Sequence, residues 1–306
     1  MRNSLAGLGT AVLIVALLSG APAYASEDEL ESDIAAVESL GLMEAPDVVP
    51  SNSRLSRASD AEQSVNSGPT GTLDRSRGLT VRSAKGTVSM KPAGGGVSKL
   101  QPNGRTLHVS QGRGYGFVLT GADSAANAAY IVVRDSSAPS AYSFVISANG
   151  KPAALSESDG LILVSDADTG ELVNFLSAPW AVDANGDQLK TYYTIKGSTV
   201  TQHVDHAGAV YPVIADPRLR CDALFCTMEY TKAETKRMAT EMTFTVAAVT
   251  AACTLLGGPV AGVMCGLSGA AVVSFANTAR NNGKCVGLRK FNYASVAFLV
   301  QVKCYA

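Results

Sequence analysis

The sequence predicts an α+β protein: an antiparallel all-β domain (sandwich or meander) followed by a disulfide-bonded helical hairpin with a terminal two-stranded element. Three observations predict it. Between Leu79 and Pro217, short apolar runs recur with turn glycines between them, as in a chain of short antiparallel strands. All six cysteines, Cys221, Cys226, Cys253, Cys265, Cys285 and Cys304, fall in the last 86 residues. From Met242 to Ala279 no residue is charged and small side chains dominate, which suits two helices at close approach.

Residues 1–25 have the layout of a signal peptide: Arg2, an apolar run from Leu5 to Leu18, and small residues at Ala23 and Ala25. The expectation is a secreted, extracellular protein whose even cysteine count is paired in an oxidising compartment. Residues 26–46 follow as an acidic amphipathic helix, with Leu30, Ile34, Val37 and Leu40 on one stripe and Gly41 and Pro46 to end it. It reads as a weakly ordered extension, a pro-segment or a partner-binding element. Residues 47–78, rich in Ser, Asn, Gly and Pro, predict a disordered linker.

The β domain spans 79–217. Asn149-Gly150, Asp159-Gly160 and Asn185-Gly186 are hairpin dipeptides, since Asn, Asp and Gly tolerate the positive φ of a two-residue turn. Residues 189–196 alternate, with Leu189, Thr191, Tyr193 and Ile195 on one face. Tyr211-Pro-Val-Ile-Ala-Asp-Pro217 closes the domain on a strand bracketed by prolines.

The Cys-rich module spans 218–306. Thr231-Lys-Ala-Glu234 is a capping box that starts a helix running to about Leu256. Gly257-Gly258-Pro259 breaks it, and a second helix runs to about Ala279. Strands Cys285–Arg289 and Ala294–Lys303 finish the chain. Cys253 and Cys265 flank the helical break and are expected to pair. Cys285 and Cys304 pair with each other, or with Cys221 and Cys226; the spacing leaves both open.

Over roughly residues 140–306 the chain resembles uncharacterised secreted actinobacterial proteins with a β-rich domain and a Cys-containing helical tail. The residues that carry this are Ser177-Ala-Pro-Trp-Ala-Val-Asp-Ala-Asn-Gly186, Thr191-Tyr-Tyr-Thr-Ile-Lys-Gly197, His203-Val-Asp-His206 and Tyr211-Pro-Val-Ile-Ala-Asp-Pro217, then Tyr230-Thr-Lys-Ala-Glu-Thr-Lys236 and Gly283-Lys-Cys285. A similar Tyr-Pro-Val…Asp-Pro ending occurs in β-regions of large secreted repeat and toxin-like proteins. The resemblance implies lineage and architecture and supplies no catalytic residues.

The formal charge of −1 argues against a nucleic-acid partner. It conceals an asymmetry: residues 26–50 hold eight acidic and no basic side chains, whereas Arg218–Ala306 hold ten basic and four acidic, a net of +6. Motif chemistry is sparse, and no cofactor, metal or catalytic residue is assigned. His203, Asp205 and His206 are the densest metal-type cluster, but on a strand His206 points away from the other two. Asp166-Ala-Asp168 and Asp183-Ala-Asn185 look faintly like calcium loops without the Gly and Glu such loops need. Gly112-Arg-Gly-Tyr-Gly116 lacks the Lys-Ser/Thr of a phosphate loop and precedes a strand.

The function expected is therefore a non-enzymatic extracellular binding or structural protein. The first alternative is a membrane-active antibacterial or toxin-like protein. Its uncharged hairpin would meet the cell envelope or an anionic membrane surface through Lys232, Lys236, Arg237, Arg280, Lys284, Arg289 and Lys290, with the acidic segment masking that charge. The second is an unrecognised secreted hydrolase using the strand around His203 and His206.

Overall fold

The computed structural model describes residues 27–43, 49–50, 71–102, 104, 106–111, 114–121, 127–158, 160–222, 225–257, 267–291 and 297–304. The expected signal peptide, Cys265 and the Gly258-Pro259 break lie outside the described residues.

Alternation of large apolar and polar side chains builds two antiparallel sheets that face each other. The first runs β15 (Thr191–Lys196), β16 (Thr199–Val204), β9 (Ala141–Ala148), β4 (Gly86–Pro92), β3 (Gly78–Ser83), β2 (Gly71–Asp74), with β10 (Lys151–Pro152) also paired to β9. The second runs β14 (Ala181–Val182), β17 (Val213–Ala215), β8 (Ala128–Val133), β7 (Tyr115–Thr120), β6 (Thr106–Ser110), β5 (Val97–Leu100). Inward residues such as Met90, Phe144 and Ile146 meet Leu107, Phe117 and Ile131 in one core. Phe117 and Phe144 pack edge to face at 5.3 Å between ring centroids, a favoured aromatic geometry. The expected Asn149-Gly150 hairpin forms, with φ of 51° and 80°. The domain is thus a sandwich.

A third sheet comprises β11 (Ala154–Ser158), β12 (Leu161–Ser165) and β13 (Leu172–Leu176); β11 is largely exposed, whereas β12 and β13 carry apolar residues on both faces. Ile162, Val164 and Leu176 enter the sandwich core, while Leu161, Leu163 and Phe175 pack against the C-terminal module.

That module is a helical layer on a four-stranded sheet, β1 (Val49–Pro50), β20 (Ala297–Val302), β19 (Cys285–Phe291), β18 (Phe225–Glu229). The expected two-stranded ending is therefore the middle of a larger sheet, whose edge β1 comes from the segment expected as a linker. Strand structure also begins before residue 79: β2 lies inside that same segment, paired to β3. The predicted first helix is two helices, α2 (Lys232–Thr240) and α3 (Met242–Gly257). The break falls at Glu241, whose φ of −118° and ψ of 95° are extended. Thr245 Oγ1 holds the break by donating to the Met238 carbonyl at 2.8 Å. The Thr231/Glu234 capping box forms as expected. After α4 (Gly269–Asn281), α2 lies mostly against α4 rather than in a two-helix hairpin. Cys221 pairs with Cys226 and Cys285 with Cys304. Cys253 is also disulfide-bonded, and its expected partner Cys265 is outside the described residues.

The junction between the halves is structured. Pro217 and Leu219 exchange backbone hydrogen bonds with Ala129 and Asn127 of the second sheet, and Arg218 and Arg220 with Ser177 and Phe175. Asn174, fully buried, donates to the Cys221 carbonyl and accepts from the Cys221 N–H, both at 2.9 Å. A backbone with so many partners is an extension of the sheets, not a tether.

Before β1 stands α1 (Glu27–Ser39). Its apolar stripe covers the outer face of the second sheet, where Leu42 and Val37 meet Val118, Tyr130, Val132 and Ile214. β6 and β8 are consequently buried on both faces. The helix expected as a weakly ordered extension is a packed element.

Candidate functional site

The seam between sandwich and module forms a half-open cavity of about 430 Å³, within the range of small-ligand pockets. One wall is the turn after β13, with Phe175, Ala178, Pro179 and Trp180. Opposite stand Met228 and Tyr230 of the module. The roof is α3, through Phe244, Ala247, Ala248, Ala251 and Leu255. Residue 251 lies one turn beyond 247 and 248 on the same side of the helix, and as alanines the three leave the space that larger side chains would fill. Trp180 is the chain's single tryptophan.

Polar groups stand at the floor and mouth. On the floor, Arg220 Nη1 lies 2.7 Å from Glu229 Oε2, both nearly buried, and Arg218 Nη1 lies 3.8 Å from the same oxygen. Beneath Trp180, Asp216 is fully buried and accepts from the Trp180 backbone N–H at 2.9 Å and from Ser177 Oγ at 3.1 Å. Burial pushes its carboxyl up to about 7, against the pull of the Trp180 N–H, Arg220, Ser177 and Arg218. On the module side, Glu234 accepts from the Thr231 N–H at 2.7 Å and from Thr231 Oγ1 at 2.9 Å at the start of α2. Burial also raises the Tyr230 phenol, whose hydroxyl donates to the Ala248 carbonyl at 3.1 Å.

Lys303 stands at the mouth, and its ammonium donates to the Leu40 carbonyl at the end of α1. Gly41 makes that approach possible. It has φ of +62°, and a side chain there would place Cβ 2.3 Å from Lys303 Nζ. It is the left-handed residue that ends the helix, with the Leu42 N–H returning to the Val37 carbonyl.

A second constellation fixes α1. Asp33, 1 % exposed, accepts from Arg134 Nε at 2.8 Å and Arg134 Nη2 at 2.7 Å, and lies 2.7 Å from Nε2 of the equally buried His108. Burial works against the Arg134 charge, yet the Asp33 carboxylate raises its pKa overall. Gly116 of β7 creates the room: a Cβ there would sit 2.6 Å from Asp33 Oδ2 and 2.9 Å from Arg134 Nη2. The glycine-rich stretch before β7 thus ends in a packing glycine. The acidic helix meets the β domain, through Asp33 and an exposed Glu27–Lys99 pair at 2.6 Å.

The basic residues expected at a membrane differ in exposure. Lys232, Lys236, Arg237 and Arg280 are exposed, Lys284 and Lys290 are half-buried, and Arg289 is buried. Arg237 is paired with Glu241 at 3.1 Å. Arg289 lies over the Phe225 ring at 4.2 Å and 3.8 Å from Asp222, and burial lowers its pKa. Burial, then the nearby Lys85, lowers that of Lys290. Among the described residues, no helix is long and apolar enough to cross a membrane.

His203 and His206 are not brought together. His203 stacks on Tyr192 at 4.6 Å and meets Thr194 Oγ1 at 3.0 Å, whereas His206 is held by Tyr211 and the Pro139 carbonyl. Among the described residues no three His, Cys, Asp or Glu side chains could hold a metal ion. Ser177 to Trp180, Tyr230, Thr231 and Glu234 fall in segments quoted for the resemblance, but no motif marked them as a cavity; the usable signal was the alanine face of α3. No family model matches the chain, and neither a curated protein nor a solved structure matches it.

Proposed function

We propose that the chain is an exported, non-enzymatic binding protein that holds an apolar small molecule in the seam cavity. The observation that carries this is the cavity itself: ligand-sized, mainly apolar, roofed by alanines, with a few polar groups at its ends. Two disulfides support an oxidising setting, in keeping with the expected export. The test is a titration of the full oxidised protein with dodecanol, followed through Trp180 emission. Saturable change is expected, and Ala251→Phe, which fills the roof from an exposed helix position, should abolish it. No saturable change, or unaltered binding by the filled variant, refutes the reading.

One observation favours the membrane-active alternative. Met242 and Val246 on the outer face of α3 are 47 % and 40 % exposed, and Lys232 and Lys236 are exposed nearby in sequence. Such a face would lie on an anionic bilayer. Leakage of dye from phosphatidylglycerol vesicles by the full chain, lost in Val246→Glu, supports it; no leakage removes it.

A further inference from the structure

We infer that the seam cavity takes an amphipathic anion, a single acyl chain ending in a carboxylate, with its head group at Lys303. This rests on the cavity being a ligand site and follows from how its lining charges are compensated. Among the described residues four charged side chains line it: Arg220, Glu229, Glu234 and Lys303. Arg220 and Glu229 neutralise each other at 2.7 Å on the floor. Glu234 is satisfied by the Thr231 N–H and hydroxyl, and it occupies the first turn of α2, where the helix dipole favours a negative charge.

Lys303 is bound differently. It donates to a neutral carbonyl, that of Leu40, and an ammonium has three protons to donate. It therefore keeps charge and donor capacity for a ligand oxyanion without giving up α1. Between mouth and floor the walls are Pro179, Phe244, the α3 alanines and Leu255, which offer an alkyl chain contact and no charge. A cationic head group would meet the Lys303 ammonium, which has no carboxylate partner among the described residues. An alcohol would gain the walls and forgo the ion pair. Because Lys303 is exposed, the carboxylate should improve affinity by no more than about fivefold over the matched alcohol, and salt should reduce that margin.

The experiment compares dodecanoate, dodecanol and dodecyltrimethylammonium, each below its aggregation threshold, on the full oxidised chain by Trp180 emission, with acetate as head-group control. Dodecanoate should bind about threefold to fivefold tighter than dodecanol, with acetate silent. Lys303→Gln should erase that margin, and an unchanged urea midpoint shows that the variant is folded. Equal binding of acid and alcohol by the native chain, a margin that survives Lys303→Gln, or tighter binding of the ammonium compound overturns the inference. Failure of all three chains to bind instead overturns the cavity as a ligand site.

Discussion

Replacing Asp33 by Asn should release α1 while the sandwich stays folded. The carboxylate takes two charge-assisted hydrogen bonds from Arg134, at 2.7 and 2.8 Å, and a third contact to His108 at 2.7 Å. A hydrogen bond to a charged group contributes about 1.5–3 kcal/mol net. Asparagine keeps the shape and one acceptor, so roughly two such bonds are lost. The Arg134 side chain is 17 % exposed, so water recovers part of its solvation, and about 3 kcal/mol is a reasonable figure for the loss. At 1.4 kcal/mol per tenfold, helix opening should become about 100-fold more frequent. Hydrogen exchange followed by mass spectrometry reads this directly. Amides of α1 should lose about two decades of protection while those of β8 and β9 keep theirs. Arg134→Met in the same chain should restore part of it, because the orphaned cation goes too. If α1 protection changes less than threefold in Asp33→Asn, the helix is held by its apolar stripe alone and the reasoning fails.

Further outcomes follow from the same geometry. Gly116→Ala intrudes on Asp33 and Arg134 and should reproduce the exchange signature of Asp33→Asn; normal α1 protection would show that the pocket gives way freely. Asp216, held near 7 by burial, titrates at a lower pH when unfolded. The unfolded state therefore ionises first, and stability should fall as pH rises from about 4 to about 7, by ~4 kcal/mol at most. Urea midpoints across that range should show the fall, and Asp216→Asn should flatten it. Converting Cys285 and Cys304 to Ser opens a loop of 19 residues in sequence separation and should cost about 3 kcal/mol, measurable as a lowered urea midpoint. Phe175→Ala should cost about 3–5 kcal/mol, because the ring is fully buried in the module core.

The sandwich was legible where one face of a strand is polar. β9 alternates, its turn is Asn-Gly, and both are visible in the letters alone. β6, Thr-Leu-His-Val-Ser, alternates as well, yet all five of its residues are buried, so its letters point to an exposed face that the fold covers. What covers it is α1, which a local pattern cannot reveal. Asp33 nevertheless sits on the apolar stripe, three residues after Leu30 and four before Val37, and a charge in that place is a usable sign of a buried partner. The capping box at Thr231 was legible because its chemistry is local. The break at Glu241 carries neither Gly nor Pro and depends on tertiary packing of α2 on α4. The cavity was least visible, since an alanine face predicts close helix packing as readily as empty space.

The three-stranded sheet sets the order in which this chain can be finished. β11, β12 and β13 are joined by short turns and can pair as soon as they are made. Their Leu161, Leu163 and Phe175 face is then sealed by residues up to Leu299, more than a hundred positions later. Until the last strands arrive, half of the molecule carries a bare greasy flank. The natural hazard of this fold is therefore self-association of chains caught short of completion, and an expression boundary drawn at Pro217 would reproduce that state permanently.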